Sequence, residues 1–529
     1  MRAKNLALRV LSTAAMLSIV TSIAAPAFAA TYYINEGSVD VTVSDAGVVT
    51  VKQGDEIYTD GLDSVIIRGG TRSEGEKDDR TKADASPATQ EADGSNAPTV
   101  NETEAPKSEN TAGDAAPKQE TTAAEERKEN APQQEPTEEK VTPEPAKAKE
   151  EAPKAAQEPS AEQEEEEQEE EEKKSTDSSA ALLAAAPATQ ADNSSTSTPA
   201  KSTDNVITIV NNFVNDAKKA FSFVLDNVNI DRSKDYSDNS SAALTVKGNG
   251  DTEIELDGDN ILKGGFNHAG LEKNDSDGTG TLTIKDDNKA ADGSKASLLA
   301  KGEYAGAGIG GGHLQDTSHI TVTGGKITAV SGAYAAGIGG GDCSDGTDII
   351  IKGDATVTAS GDTGAGIGGG GDGGYVGGYG KVTITDQANV TAWSEFGAGI
   401  GGGRNAGGDI IISGDATVVA EAYNDSVAIG SGGQLSNRRH PDTNITIRDK
   451  ANVTAVGSGW HPAIGSRGNI TFYGGDSHPF TTTINILGGT LNVINRGDDH
   501  YTSDYPAIGN ESADYGTNAD LVLNINAST

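Results

Sequence analysis

Five aromatic residues hold matching places in a recurring phrase. Tyr304, Tyr334, Phe396, Trp460 and Tyr505 each stand three to five residues before an Ile flanked by glycine, and Thr363 and Asp425 take that place in two further copies. Aromatic rings offer a flat apolar face that stacks on the apolar face of a sugar ring. If the copies stack as neighbouring strands, two of these residues separated by one copy lie roughly 10 Å apart, a pitch suited to an extended glycan. The competing reading is that the rings only pack one corner of the fold.

A second set is acidic. Asp342, Asp345 and Asp348 crowd one Gly-rich turn, and Asp286 adjoins Asp287. Hard cations take six to eight oxygen ligands, and such a turn supplies carbonyls beside carboxylates, so isolated Ca²⁺ sites are an expectation here, against the alternative of solvated turn aspartates. No pair of carboxylates stands out as an acid and base for glycan cleavage, so no catalytic residue is assigned. Arg438-Arg439-His440 is the one dense basic cluster among the repeats and would suit a carboxylate-bearing sugar or a solvated loop tip. The glycine phrases lack a following Gly-Lys-Ser/Thr, which argues against a nucleotide site. Cys343 is the single cysteine, which excludes an internal disulfide framework, and no Cys/His motif surrounds it. The net charge of −39 disfavours nucleic acid and anionic membrane surfaces, and an acidic polysaccharide would need a bridging cation such as Ca²⁺.

The elements that position these residues follow from the repeat itself. The phrase reads Ala307-Gly-Ile309-Gly, Ala336-Gly-Ile338, Ala365-Gly-Ile367 and Ala398-Gly-Ile400, then Ala428-Ile429-Gly430, Ala463-Ile464-Gly465 and Ala507-Ile508-Gly509. Between copies lie two short runs. One includes Ile320-Thr-Val322, Ile349-Ile-Ile351, Val382-Thr-Ile384, Ile410-Ile-Ile412, Ile445-Thr-Ile447 and Ile484-Asn-Ile486. The other includes Ile327-Thr-Ala329, Val357-Thr-Ala359, Val390-Thr-Ala392, Val418-Val-Ala420, Val453-Thr-Ala455 and Leu491-Asn-Val493. Alternation sends the first and third residues of each run inward. A period of about 30 residues with three strands per repeat is a solenoid that buries its apolar faces only by stacking. The predicted fold is all-β, a right-handed parallel β-helix with the glycines at its corners and each inward Ile on the Ile of the next coil.

Outside the repeats the composition divides the chain. Residues 1–30 read as a signal peptide: Arg2, Lys4 and Arg9, an apolar run from Val10 to Ala25, then Ala27-Phe28-Ala29 as the cleavage pattern, which implies export. No later stretch is long and apolar enough to span a bilayer. Thr71 to Asn205 holds 34 acidic against 15 basic residues, 12 of the 17 prolines, no Ile and no aromatic residue, and is expected to be a long disordered acidic insertion or linker. Residues 31–70 are strand-like yet too few for an independent core, so they are expected to be the first coil or cap of the solenoid that continues over 206–529.

Leu225-Asp-Asn-Val-Asn-Ile-Asp231, Leu244-Thr-Val-Lys-Gly-Asn-Gly250, Glu255-Leu-Asp-Gly-Asp-Asn-Ile-Leu-Lys-Gly-Gly265, His268-Ala-Gly-Leu271, Leu282-Thr-Ile284 and the Ala-Gly-Ile-Gly-Gly-Gly repeats carry a family resemblance. Residues 206 to about 526, and by extension 35–70, resemble the bacterial secreted carbohydrate-binding β-helix proteins, similar in fold to pectate lyases. The resemblance implies glycan binding at a cell surface, assisted by Ca²⁺ in some cases, without a dependable catalytic set. Two other readings stay open: an adhesin or structural surface protein without a sugar site, and a polysaccharide lyase or glycoside hydrolase on the same scaffold.

Overall fold

The structure is a computed structural model that describes residues 30–83, 200–216, 219–237, 239–290, 292–372, 377–424, 426–433, 442–458, 461–467, 480–496, 506–510 and 519–526. Residues 1–29 of the expected signal peptide, most of the acidic segment, Trp460, Tyr505 and the Arg438-Arg439-His440 cluster lie outside the described residues.

Short β-branched runs separated by Gly, Asp and Asn make strands of two to eight residues, and these pair in parallel with the equivalent run one repeat later. Three sheets result, of 12, 14 and 9 strands among the described residues, which contain no α-helix. The first sheet carries the Ile320–Val322 type of run, the third carries the Lys326–Val330 type, and the second carries the Ala-Gly-Ile-Gly phrase. Registers are in step: Ile320 opposes Ile349, Ile327 opposes Val357, and Ile338 opposes Ile367. This is the right-handed parallel β-helix expected from the repeat.

Alternation decides what is buried. In Ile320–Val322, Val382–Ile384 and Ile445–Ile447 the first and third residues are buried and the middle one is not. In the second sheet one inward column runs without interruption through Val39, Ile207, Leu244, Leu271, Ile309, Ile338, Ile367, Ile400, Ile429, Ile464 and Ile508. Ile309 through Ile464 in this column are fully buried. Each such side chain contributes roughly 1.5–3 kcal/mol of transfer free energy, realised only when the adjacent coil is present.

The glycines of the phrase sit inside the second sheet rather than at its corners. Gly339, Gly368 and Gly401 have φ of 142°, 135° and 139°, and a methyl group on any of them would overlap the carbonyl oxygen of the equivalent Gly in the next coil. The constraint therefore repeats along the solenoid axis. Polar corners are satisfied in the same direction. Asn260 accepts the Val228 N–H at 2.9 Å and donates to the Asp257 and Ser297 carbonyls at 3.0 and 3.2 Å, binding three coils together.

Residues 30–83 continue the stack. Ala30–Tyr33 and Val65–Arg68 pair in parallel and lead on to Phe221–Asp226 in the first sheet, while Val39–Val43 pairs in parallel with Ile207–Asn211 in the second. The second sheet then turns antiparallel through Val49–Gln53, Glu56–Asp60 and Thr81–Lys82. This meander adds its own buried side chains, Val49, Val51 and Tyr58, to the N-terminal end of the core. The Arg80 guanidinium covers the Tyr58 ring at 4.5 Å and pairs with Asp78 at 2.8 Å. Arg72 donates to the Thr31 and Lys77 carbonyls. At the other end of the acidic segment Thr203 bridges Ile230. Composition alone assigned 71–83 and 200–205 to the insertion, because their contribution lies in side-chain ties and two short pairings rather than in apolar residues.

Candidate functional site

Each phrase closes on itself. The Ala N–H donates to the carbonyl of the residue four later: Ala307 to Gly311 at 2.9 Å, Ala336 to Gly340 at 3.0 Å, Ala365 to Gly369 at 2.8 Å and Ala398 to Gly402 at 2.9 Å. The chain thus enters and leaves the curl at neighbouring points. The residue four places after the inward Ile then donates its N–H to the corner of the preceding coil: His313 to Asn267, Asp342 to Ala305, Gly371 to Tyr334, Arg404 to Thr363 and Gly433 to Phe396, all within 2.8–3.1 Å. Residues before and after the phrase therefore share one edge of the solenoid.

On that edge the aromatics form a row. Tyr236 and Phe266 have ring centroids 5.8 Å apart, Phe266 and Tyr304 stack at 4.9 Å, and Tyr304 meets Tyr334 edge-on at 5.2 Å. Tyr236 is 65% exposed and Tyr304 37%. Thr363 separates Tyr334 from Phe396, whose ring lies under the Arg404 guanidinium at 5.5 Å. A second pair, Trp393 and Tyr423, meets edge-on at 6.0 Å, with Arg496 over Tyr423 at 5.2 Å. The rings partly pack one another, and the nearly parallel Phe266 and Tyr304 use a face for each other. The perpendicular turn at Tyr334 breaks that pattern.

Polar groups line the row. Glu303 precedes Tyr304 and Glu395 precedes Phe396, and burial pushes both carboxyls up from the ordinary range. Asn424 donates to Glu395 at 2.7 Å. His268 Nδ1 lies 2.8 Å from the buried Glu272 carboxylate, a contact that raises the imidazole pKa. His313 Nδ1 stands 3.5 Å from Asp342, whose carboxyl burial also pushes up. The half-buried Glu303, Glu395 and Asp342 carboxyls and the His268 and His313 imidazoles thus set hydrogen-bonding groups beside the rings.

The three aspartates considered for Ca²⁺ have separate partners. Asp342 receives the Cys343 thiol at 3.3 Å and faces His313. Asp345 accepts the Tyr379 N–H at 2.7 Å, and its own N–H donates to the Asp316 carboxylate at 2.8 Å. Asp348 pairs with Lys381 at 2.7 Å. Among the described residues no group of three His, Cys, Asp or Glu side chains is arranged to hold a metal ion. Asp316 and Asp345 instead tie coil to coil through backbone N–H groups, as do Asp251 with Thr281, Asp386 with Gly353 and Asp449 with Gly414.

Cys343 illustrates the electrostatics of this edge. Burial, and then the Asp342 and Asp372 carboxylates, push the thiol up to about 12. Relative to a thiol at 9.0, its thiolate population at pH 8 is lower by about a thousandfold. Alkylation by iodoacetamide is expected to be slow and to keep accelerating up to pH 10, with Asp342→Asn raising the rate. A rate that reaches its plateau below pH 9.5 contradicts this environment.

Phe266, Tyr236, His313 and Arg404 were not singled out from the sequence. The three-to-five spacing counted back from Leu271 finds Phe266, and the place four after each inward Ile finds His313 and Arg404. Tyr236, eight residues before Leu244, carries no such signal.

Fold and edge together define a parallel β-helix of tandem repeats with one aromatic and polar edge. The beta helix repeat family matches residues 320–342, 349–371 and 382–404. Each match runs from the first-sheet strand to the position four after the inward Ile. No curated protein and no solved structure matches the chain. Within the described residues no helix is long and apolar enough to cross a membrane.

Proposed function

We propose that this chain is an exported glycan-binding β-helix protein acting at or near a cell surface, and that it binds rather than cleaves its ligand. The observation that carries the reading is the row Tyr236, Phe266, Tyr304 and Tyr334 bordered by Glu303, His268, His313 and Asp342 on one edge. Stacking surfaces next to convergent donors and acceptors are what a carbohydrate needs, since its ring faces are apolar and its rim is hydroxyl-bearing. A neutral glycan fits best, because the chain carries a net charge of −39. An acidic glycan would require Ca²⁺ as a bridge.

A glycan array run with and without chelator tests the reading. The expected result is retention on neutral glycans that survives chelation, with no release of shortened product from a retained glycan. Absence of retention on every glycan favours a purely structural surface protein. Product release would assign the edge to a lyase or hydrolase.

A further inference from the structure

One coil closes its curl differently from those that follow. In the coils of Ala307, Ala336, Ala365 and Ala398 the Ala N–H goes to a main-chain carbonyl, whereas the Ala269 N–H donates to the Glu272 side chain, at 3.2 Å from Oε2. Register explains the exception. Leu271 pairs with Ile309 and Glu272 with Gly310, so a glutamate stands where the next coils carry Gly310, Gly339, Gly368 and Gly401.

Glu272 is buried, and both of its oxygens are engaged. Oε2 also meets His268 Nδ1 at 2.8 Å, and Oε1 accepts the Asn274 amide at 3.2 Å. Asn274 in turn accepts the Gly312 N–H at 3.0 Å, and a methyl group on Gly312 would press on Glu272 Oε2. The carboxylate is held between two coils, and it grips the His268 ring by one nitrogen.

That grip decides which nitrogen titrates. A carboxylate only accepts, so Nδ1 keeps its hydrogen in both charge states and Nε2 is the nitrogen that gains or loses one. The imidazole is 34% exposed beside Phe266 of the ring row. Protonated, it offers a charge-assisted N–H to a ligand; neutral, it offers a bare lone pair. Glu272 favours the charged form and raises the pKa. Lys247, paired with Asp277 at 3.3 Å, and Arg232, paired with Asp235, oppose it, while Asp235 supports it. Glu303 of the next coil donates its N–H to the His268 carbonyl at 3.2 Å and directs its carboxyl to Tyr236.

We propose that Glu272 is a positioning residue for the glycan-binding edge, holding His268 so that the charge of this imidazole sets affinity, tighter when protonated and weaker when neutral. The inference rests on the glycan reading above. Because Glu272 holds the proton on His268, the change falls at higher pH than for a free imidazole.

Binding isotherms of the full chain on the neutral members of a glycan array, taken from pH 5.5 to 9.5, test this. Wild-type affinity is expected to fall by about fivefold as pH rises, the difference between a charge-assisted and a neutral contact. Glu272→Gln keeps the size of the side chain and an oxygen for the Ala269 N–H, and is expected to move the midpoint of the fall toward acid. His268→Gln, at a half-exposed position that does not depend on the curl, is expected to bind weakly with no fall. Wild-type affinity that is constant over this range overturns the inference and leaves the glycan reading standing. An unchanged midpoint in Glu272→Gln, or a wild-type profile in His268→Gln, assigns the fall to another group such as Glu303 and also overturns it. Absence of retention on every glycan at every pH removes the glycan reading and this inference together.

Discussion

Gly368→Ala is expected to unfold the central coils, lowering stability by about 4 kcal/mol or more, whereas Gly509→Ala loses only about 1–2 kcal/mol. Both glycines have nearly the same backbone, φ of 135° and 140°, so both substitutions place an L side chain in strained left-handed geometry. What separates them is the coil above. A Cβ on Gly368 overlaps the Gly401 carbonyl oxygen, which is fixed on both sides by the ladder. A Cβ on Gly509 meets Leu521 Cδ2 at 3.4 Å, an ordinary contact, and among the described residues no further phrase stacks there. Relief of the clash at Gly368 requires the coils to part, and every coil beyond depends on that stacking. Thermal melts of the two variants followed by circular dichroism check the difference; equal losses would show that only backbone strain matters.

Ile367→Asp is expected to be at least as damaging, by about 5 kcal/mol or more. Ile367 is fully buried between Ile338 and Ile400. The substitution removes a buried aliphatic side chain, worth roughly 2–5 kcal/mol, and inserts an ionisable group with no charge partner in an apolar column. Burial would raise the carboxyl pKa in the folded state above its unfolded value of about 4. The folded state then holds its proton more tightly, so the variant loses further stability as pH rises from 4 and is least impaired in acid. Ile367→Val should cost only about 0.5–1.5 kcal/mol, with no such pH dependence. Denaturant midpoints at pH 4.5 and 8 provide the measurement, and an Asp variant as stable as wild type at pH 8 would put Ile367 outside the core.

The same two residues show how far the sequence could be read. Ile367 belongs to a period-two pattern repeated every 30 or so residues, and apolar alternation is a property of residue type, so its inward direction was legible. Gly368 was legible as a residue needing special backbone, but its place inside a sheet was not, because the overlap involves a carbonyl in another coil. The site was legible by halves. Tyr304, Tyr334 and Phe396 share a fixed distance to the phrase. His313 and Arg404 reach the edge through the Ala-to-Gly curl, a backbone hydrogen bond that says nothing of the side chain four places after the Ile. Asp345 and Asp348 looked like ligands by proximity along the chain, yet positive φ at Asp348 and the capping of Tyr379 by Asp345 turn the carboxylates to different partners.

The repeats themselves separate scaffold from display. Across the three family-matched units the inward positions stay aliphatic, while the place four after the inward Ile changes from Asp342 to Gly371 to Arg404. Stacking fixes the first class and leaves the second free to vary with whatever the edge meets. The proposed binding edge and the stabilising column are therefore separate sets of residues that can be perturbed independently.

The most direct measurement is a binding isotherm on an insoluble neutral polysaccharide retained in the array, comparing wild type with the double variant Tyr304→Ala, Tyr334→Ala. Both proteins should melt within a few degrees of each other, because Tyr304 is 37% exposed and Tyr334 is half-buried rather than in the core. The account predicts that the double variant binds at least about tenfold more weakly, the equivalent of 1.4 kcal/mol. Unchanged binding by a folded double variant would contradict it.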